Sequence, residues 1–238
     1  MLNTPNMNRL LAIQLLMTQK KLKNYIEIGV FNGHIFFRIK SFFKIAIDPD
    51  FTFTKARILG KIILNPFNLF NKYFKKTSDA FFENDAKSVF GDKKIDIALV
   101  DGMHEFAFST RDVEHILERL NENGVIIMHD CNPLTPEAAC SFNEWQNRNF
   151  SGTWNGDVWK TILYLQCCRA DLDVFVLDCD HGLGVVSKSK GHHQQTSSFN
   201  YSKQEIDQLT YNDFNANRVA YLNLKSADYF YDYFHLKI

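Results

Sequence analysis

Four short apolar runs punctuate the first 130 residues: NYIEIGV (24–30), FKIAID (43–48), KIDIALVD (94–101) and VIIMHD (125–130). Each is too short for a buried helix and nearly continuous in apolar side chains, the pattern of a strand covered on both faces. Between them lie stretches with helical character. Residues 33–41 (GHIFFRIKS) predict a short helix, and residues 78–90 (SDAFFENDAKSVF) a longer one with Ser78 or Asp79 as its N-cap. Residues 105–122 place Phe106, Val113, Ile116, Leu117 and Leu120 at helical spacing, with Asn123-Gly124 as the stop. Two further helices are expected near 135–148 and 157–169, and DVFVLD with LGVVSK reads as an antiparallel pair. Strand and helix in alternation dictate an α/β, doubly wound, mostly parallel sheet, here with an antiparallel hairpin at its edge.

In such sheets ligands gather at the carboxyl ends of the strands. The first strand ends in Glu27-Ile28-Gly29-Val30-Phe31-Asn32-Gly33. Gly29 and Gly33 let the backbone approach a ligand and turn away. The run is not the G-x-G-x-x-G of dinucleotide enzymes, which counts against a nicotinamide-dependent oxidoreductase. A carboxylate at Glu27 would repel a pyrophosphate but can accept hydrogen bonds from a ligand's amine. Asp48, ending the second strand, can accept them from ribose hydroxyls. The two later strands each end with an Asp and a His: Asp101 with His104, and His129 with Asp130.

Charge is uneven. Residues 1–76 hold 13 Lys/Arg against 3 Asp/Glu, although the whole chain balances at 27 of each. Global neutrality argues against nucleic acid as a partner, while the basic first third suits an anionic ligand or surface. The segment 51–76 concentrates this, with Lys55, Arg57, Lys61, Lys72, Lys75 and Lys76, several Phe, and no acid. It reads as an insert: a lid over an anionic acceptor, a peripheral membrane contact, or a solvated helix pair with its aromatics on the sheet. No run reaches the length of a membrane helix, and the N-terminus reads as a capped amphipathic helix beginning at Thr4-Pro5 instead of a signal peptide. Five Cys without C-x-x-C spacing point to reduced thiols and a cytoplasmic protein. The expected organisation is one domain over 1–190 and a tail over 191–238. In the tail GHHQQTSS (191–198) is polar and mobile, and the Tyr-rich remainder forms short helices on the body or on a partner, as in a homodimer.

The ordered set E-I-G-x-x-x-G, the acid Asp48, D-G-x-H and G-V-I-x-x-H-D-C-N-P resembles the class I S-adenosylmethionine-dependent methyltransferases. Within them it is similar to a small bacterial group associated with sugar, glycan and natural-product O-methylation. The resemblance runs from about Tyr25 to Lys188 and includes W-N-G-D-V-W-K (154–160). It implies a seven-stranded, Rossmann-like sheet and S-adenosylmethionine as cofactor. Glu27 would then face the methionine amino group, with Gly29, Phe31 and Gly33 lining methionine and ribose. Asp48 would hold the ribose hydroxyls, Ser78 and Asp79 would pass beside adenine, and Asp101 would lie near the sulfonium.

Methyl transfer to a hydroxyl needs the acceptor oriented and its proton removed. Asp101, His104 and Asp130 are the candidates, by a histidine base or by a divalent metal, Mg or Mn, on Asp101, His129 and Asp130. Cys131 after Asp130 departs from the Asn or Asp often found there in metal-dependent relatives, and His129 from the acid of some sugar methyltransferases. Trp154, Asp157, Trp159 and Lys160 are candidates for the rim of a small-molecule or glycan acceptor site, though Asp157 also suits a helix cap and Trp159 a core. A cofactor-binding scaffold without turnover, and a redox-metal offshoot such as a hydroxylase, are the competing readings.

Overall fold

A computed structural model describes residues 6–147, 152–189 and 199–237. Thr4-Pro5 and the 191–198 segment lie outside the described residues. The chain divides into two compact units, one of Leu10–Gly102 with Arg111–Ile126, the other of Met1–Arg9, Met103–Thr110 and Ile127–Ile238.

The first unit opens with α1 (Arg9–Gln19), which buries Ala12, Ile13 and Leu16. It continues with β1 (Asn24–Ile28), β2 (Phe43–Ile47), α2 (Lys55–Leu64), β3 (Asn71–Phe74), α3 (Ser78–Asn84), α4 (Ala86–Phe90) and β4 (Ile95–Val100). β1 pairs in parallel with β2 and β4, and β2 with β3. All six residues of β4 are buried, as are the last four of β1 and of β2. That burial is what an unbroken apolar run requires. The predicted 33–41 helix is reduced to one 3-10 turn at Phe36–Arg38, anchored by buried Phe36 and Phe37. The predicted 78–90 helix breaks at Asp85 into α3 and α4. Its N-cap is Thr77, whose hydroxyl accepts the Ala80 N–H, and neither Ser78 nor Asp79 serves. The 51–76 segment is not a helix pair: α2 leads through a 3-10 turn into β3.

α5 (Phe106–Leu117) and β5 (Leu120–Met128) run through the boundary between the units. Asn123-Gly124, expected to stop a helix, lies inside β5. The strand starts early because the Ile95 N–H donates to the Arg119 carbonyl and the Asn121 amide to Asp96.

The second unit holds α6 (Phe142–Asn147), α7 (Trp159–Cys168), β6 (Leu172–Leu177), β7 (Leu183–Lys188), α8 (Lys203–Gln208), α9 (Tyr211–Leu222), β8 (Leu224–Lys225) and α10 (Tyr229–Phe234). β6 and β7 form the expected antiparallel pair, and β8 adds to β6 in parallel. The strand order is β3-β2-β1-β4-β5-β7-β6-β8, the expected mostly parallel α/β sheet with one strand more than seven. The extra strand, β8, comes from the tail. Two capping boxes start the tail helices, Ser202 with Glu205 and Thr210 with Asp213. α9 then places Phe214 against Trp159, ring centroids 4.6 Å apart, and the Gln166 amide donates to the Tyr221 carbonyl.

Candidate active site

Each unit brings a group of expected site residues together. In the first, the chain leaves β1 through Gly29 at φ +83°, Phe31 at +47° and Gly33 at +73°. A Cβ on Gly29 would lie 2.0 Å from the Asp101 carbonyl oxygen, so only glycine lets this loop meet the end of β4. The Asp101 N–H donates to the Ile28 carbonyl at 2.9 Å. Asp48 fixes the loop from the end of β2. Its Oδ2 accepts the Phe31 N–H and its Oδ1 the Asp50 N–H, both at 2.7 Å. A carboxylate has lone pairs beyond those two.

Glu27 is 2% exposed and accepts the Tyr25 hydroxyl at 2.5 Å. Lys44 on β2 is fully buried. Its ammonium donates to the carbonyls of Phe36 and Ile39 and to Asn68 Oδ1, which uses all three of its donors. Burial pushes its pKa down to about 7, and the charge of Glu27 pulls the other way. Lys44 was not anticipated, because a lysine in an apolar strand reads as an exposed residue.

Ser78 and Asp79 turn to α5. The Ser78 hydroxyl donates to Asp112, while Asp79 pairs with Arg111 and His115, each at 3.1 Å. Burial lifts the Asp112 carboxyl to about 6, against the Ser78 hydrogen bond, which lowers it.

In the second unit, His104 and Asp130 meet, with His104 Nε2 3.4 Å from Asp130 Oδ2. His104 Nδ1 lies 2.9 Å from the Trp154 carbonyl, an acceptor only, so Nδ1 carries the proton. Nε2 is then the nitrogen that takes up a further proton. Asp130 is 3% exposed. His129 Nδ1 reaches its Oδ2 at 2.7 Å and the Asn155 amide its Oδ1 at 2.8 Å. The far nitrogen of His129 faces the Arg9 guanidinium and, at 3.5 Å, Asp180 Oδ1. Both nitrogens of His129 are therefore engaged, which leaves it no lone pair directed at a metal. Arg9 also binds Asp180 through its side chain at 3.0 Å and its backbone N–H at 2.9 Å.

Asp130, Asp180 and His181 have left-handed φ values of 59°, 45° and 63° without being glycine. Gly156 at φ +62° would place a Cβ 1.7 Å from the His104 carbonyl, and Gly182 one 2.3 Å from Asn132 N. Beside Asp130, already a candidate, Asn155-Gly156 carries a turn signal in the sequence. Nothing in the sequence marked Arg9 or Asp180.

The expected acceptor rim separates into two kinds of residue. The Trp154 ring stacks on His104 at 5.1 Å and on Trp145 at 5.3 Å, with Phe142 at 5.4 Å. Asp157 instead caps α5 by accepting the Phe106 N–H at 2.6 Å, Trp159 is core at 1% exposure, and the Lys160 ammonium donates to the Asp207 carbonyl.

Residues 26–131 match the family model described as "Methyltransferase domain". No curated protein matches the chain. Solved structures share its fold. The O-methyltransferase TomG from Streptomyces achromogenes, in complex with SAM, has a TM-score of 0.55 at 11% identity, covering 77% of this chain and 81% of that one. An SAH-bound methyltransferase from Podospora anserina has a TM-score of 0.52 at 20% identity, covering 77% and 80%. Over residues 26–131 the chain is therefore similar to methyltransferase domains, and it shares the Rossmann-like fold of these solved structures.

Proposed function

We propose that the protein is an S-adenosylmethionine-dependent O-methyltransferase whose acceptor is a hydroxyl of a sugar, glycan precursor or related small metabolite. The observation that carries this reading is the His104–Asp130 pair, with its proton-accepting nitrogen set by the Trp154 carbonyl. When bound, S-adenosylmethionine supplies an electrophilic methyl carbon. The first unit's residues fit it: two glycines at positive φ form the cradle, Asp48 keeps lone pairs for ribose hydroxyls, and Glu27 is a buried carboxylate for the amine. We assign Ser78 and Asp79 to shaping the adenine side through their hold on α5, and Asp101 to the methyl-transfer side of the pocket.

With cofactor and acceptor bound, His104 Nε2 would take the acceptor's hydroxyl proton and so ready its oxygen as a nucleophile. Asp130 stabilises the imidazolium that results, and His129 and Asn155 hold Asp130 in place. The Trp154–Trp145–Phe142 group presents aromatic faces of the kind sugar rings pack against. Free thiols at all five cysteines accord with a cytoplasmic setting, and the proposed place in bacterial glycan biosynthesis rests on the motif resemblance alone. A homodimer through the tail is tested by sedimentation, since Phe230 and Tyr231 are buried within their own chain.

The test is turnover on a panel of sugars, nucleotide-linked sugars and phenols, read by mass spectrometry as the gain of one methyl group. Wild type should methylate a sugar-class hydroxyl and His104→Gln should not, with chelator present throughout. Turnover lost on chelation and restored by Mg or Mn would assign Asp101 and Asp130 to a metal instead. Cofactor binding with no turnover on any acceptor would favour the scaffold reading.

A further inference from the structure

α2 and the turn after it form a surface that the fold leaves uncovered. None of the ten residues of α2 is buried. Leu59, Ile63 and Leu64 are 63%, 76% and 79% exposed, and Leu69, Phe70 and Phe42 are also exposed. Leu59 and Ile63 are one helical turn apart and so share a face. Only Ile58, Lys61 and Ile62 turn partly inward. The aromatic members hold one another in place, since the Phe42 ring lies 4.7 Å from Phe67 and 5.2 Å from Phe70. The segment is pinned to the unit from behind: the Asn65 amide donates to the Phe37 and Ile39 carbonyls, and the Asn68 amide to Phe37 and Lys61. An apolar face held outward on a fixed base marks an interaction surface.

The charges say what the cover is. Lys55, Arg57, Lys61 and Lys72 lie in the same segment, and residues 51–76 contain no acid. We propose that this face docks the protein on an anionic lipid bilayer, with Leu59, Ile63 and Leu64 entering the acyl boundary and the basic residues meeting lipid phosphates. Among the described residues no helix is long and apolar enough to cross a membrane, so the contact is peripheral. A second copy is the less suitable cover, because a self-complementary contact would set Lys and Arg against Lys and Arg. The proposal stands apart from methyl transfer and uses no residue assigned to it.

The experiment is flotation of the full chain with vesicles of phosphatidylcholine alone and of phosphatidylcholine mixed in equal parts with phosphatidylglycerol. The proposal expects binding to the anionic vesicles only, weakened by salt. Lys55→Glu and Arg57→Glu should each weaken it at least about fivefold, the worth of one basic residue at such a surface. Ile63→Asp with Leu64→Asp should abolish it while leaving S-adenosylhomocysteine binding intact, which shows the variant is folded. Equal binding to both vesicle types, no binding by wild type, or binding untouched by the variants would overturn the proposal. So would self-association that Ile63→Asp dissolves.

Discussion

At the scale of single residues, the site depends on side chains whose neighbours decide their protonation. His104→Gln should lower turnover by about 10²–10⁴-fold, the usual worth of a general base, without weakening cofactor binding. Asn155→Ala removes one of the hydrogen bonds that hold Asp130. It should lower kcat more than it raises KM, a split that a merely structural role would not give. Lys44 shows how burial becomes pH dependence. Its pKa falls from the ordinary 10.5 to about 7 in the folded chain. Below pH 7 the ammonium is charged in both states, and its desolvation weighs against the fold in full. Between about 7 and 10.5 the unfolded chain binds more protons, so stability rises with pH. The difference in unfolding free energy between wild type and Lys44→Met should therefore shift in favour of wild type across that window. Denaturant titrations would show this, and a pH-independent difference would contradict it. Glu27, Asp48, His104 and Asp130 stood out as candidates in the sequence because polar, titratable residues lie there within or just past apolar strands. Lys44, Arg9 and Asp180 were not, since their partners lie far away in sequence and no local pattern announces them.

At the scale of elements, turns and caps decide where strands and helices end. Gly29→Ala must place a side chain at φ +83° and 2.0 Å from a backbone oxygen. The backbone penalty alone is about 1–2 kcal/mol, and the clash should also displace Asp101, so we expect a lower Tm together with lost cofactor affinity. Thr77→Ala should cost about 1 kcal/mol as a lost N-cap, whereas the same change at Ser78 acts through Asp112. Three cap-capable residues in a row, Thr77-Ser78-Asp79, hid which one caps, because the other two were required by α5. Asn123-Gly124 misled in the same way. Its local preference is a helix stop, but pairing near Asp96 draws the chain into β5 from Leu120 onward. Among the elements dictated by unbroken apolar runs, β1, β2 and β4 were found to within two residues, whereas β5 begins five residues before its run because tertiary partners set its start.

At the scale of the whole molecule, the alternation of strands and helices was enough for the α/β class, and the hairpin 172–188 for the antiparallel pair. The eighth strand escaped notice because β8 is two residues long and forms only by addition to β6. The tail's weak helical period concealed two capping boxes and an aromatic contact with the core. Removing residues 199–237 would uncover Trp159 and the side of α7 that α9 covers. We expect a large fall in Tm and aggregation on heating, and a truncated chain with unchanged Tm would show that the tail is dispensable.

The central claim is that the loop after β1 holds S-adenosylmethionine. Calorimetric titration of S-adenosylhomocysteine into wild type and Glu27→Ala tests it most directly. We predict binding in the micromolar range by wild type and its loss in the variant, with both proteins folded by circular dichroism. No binding by wild type, or equal binding by the two, would contradict the account.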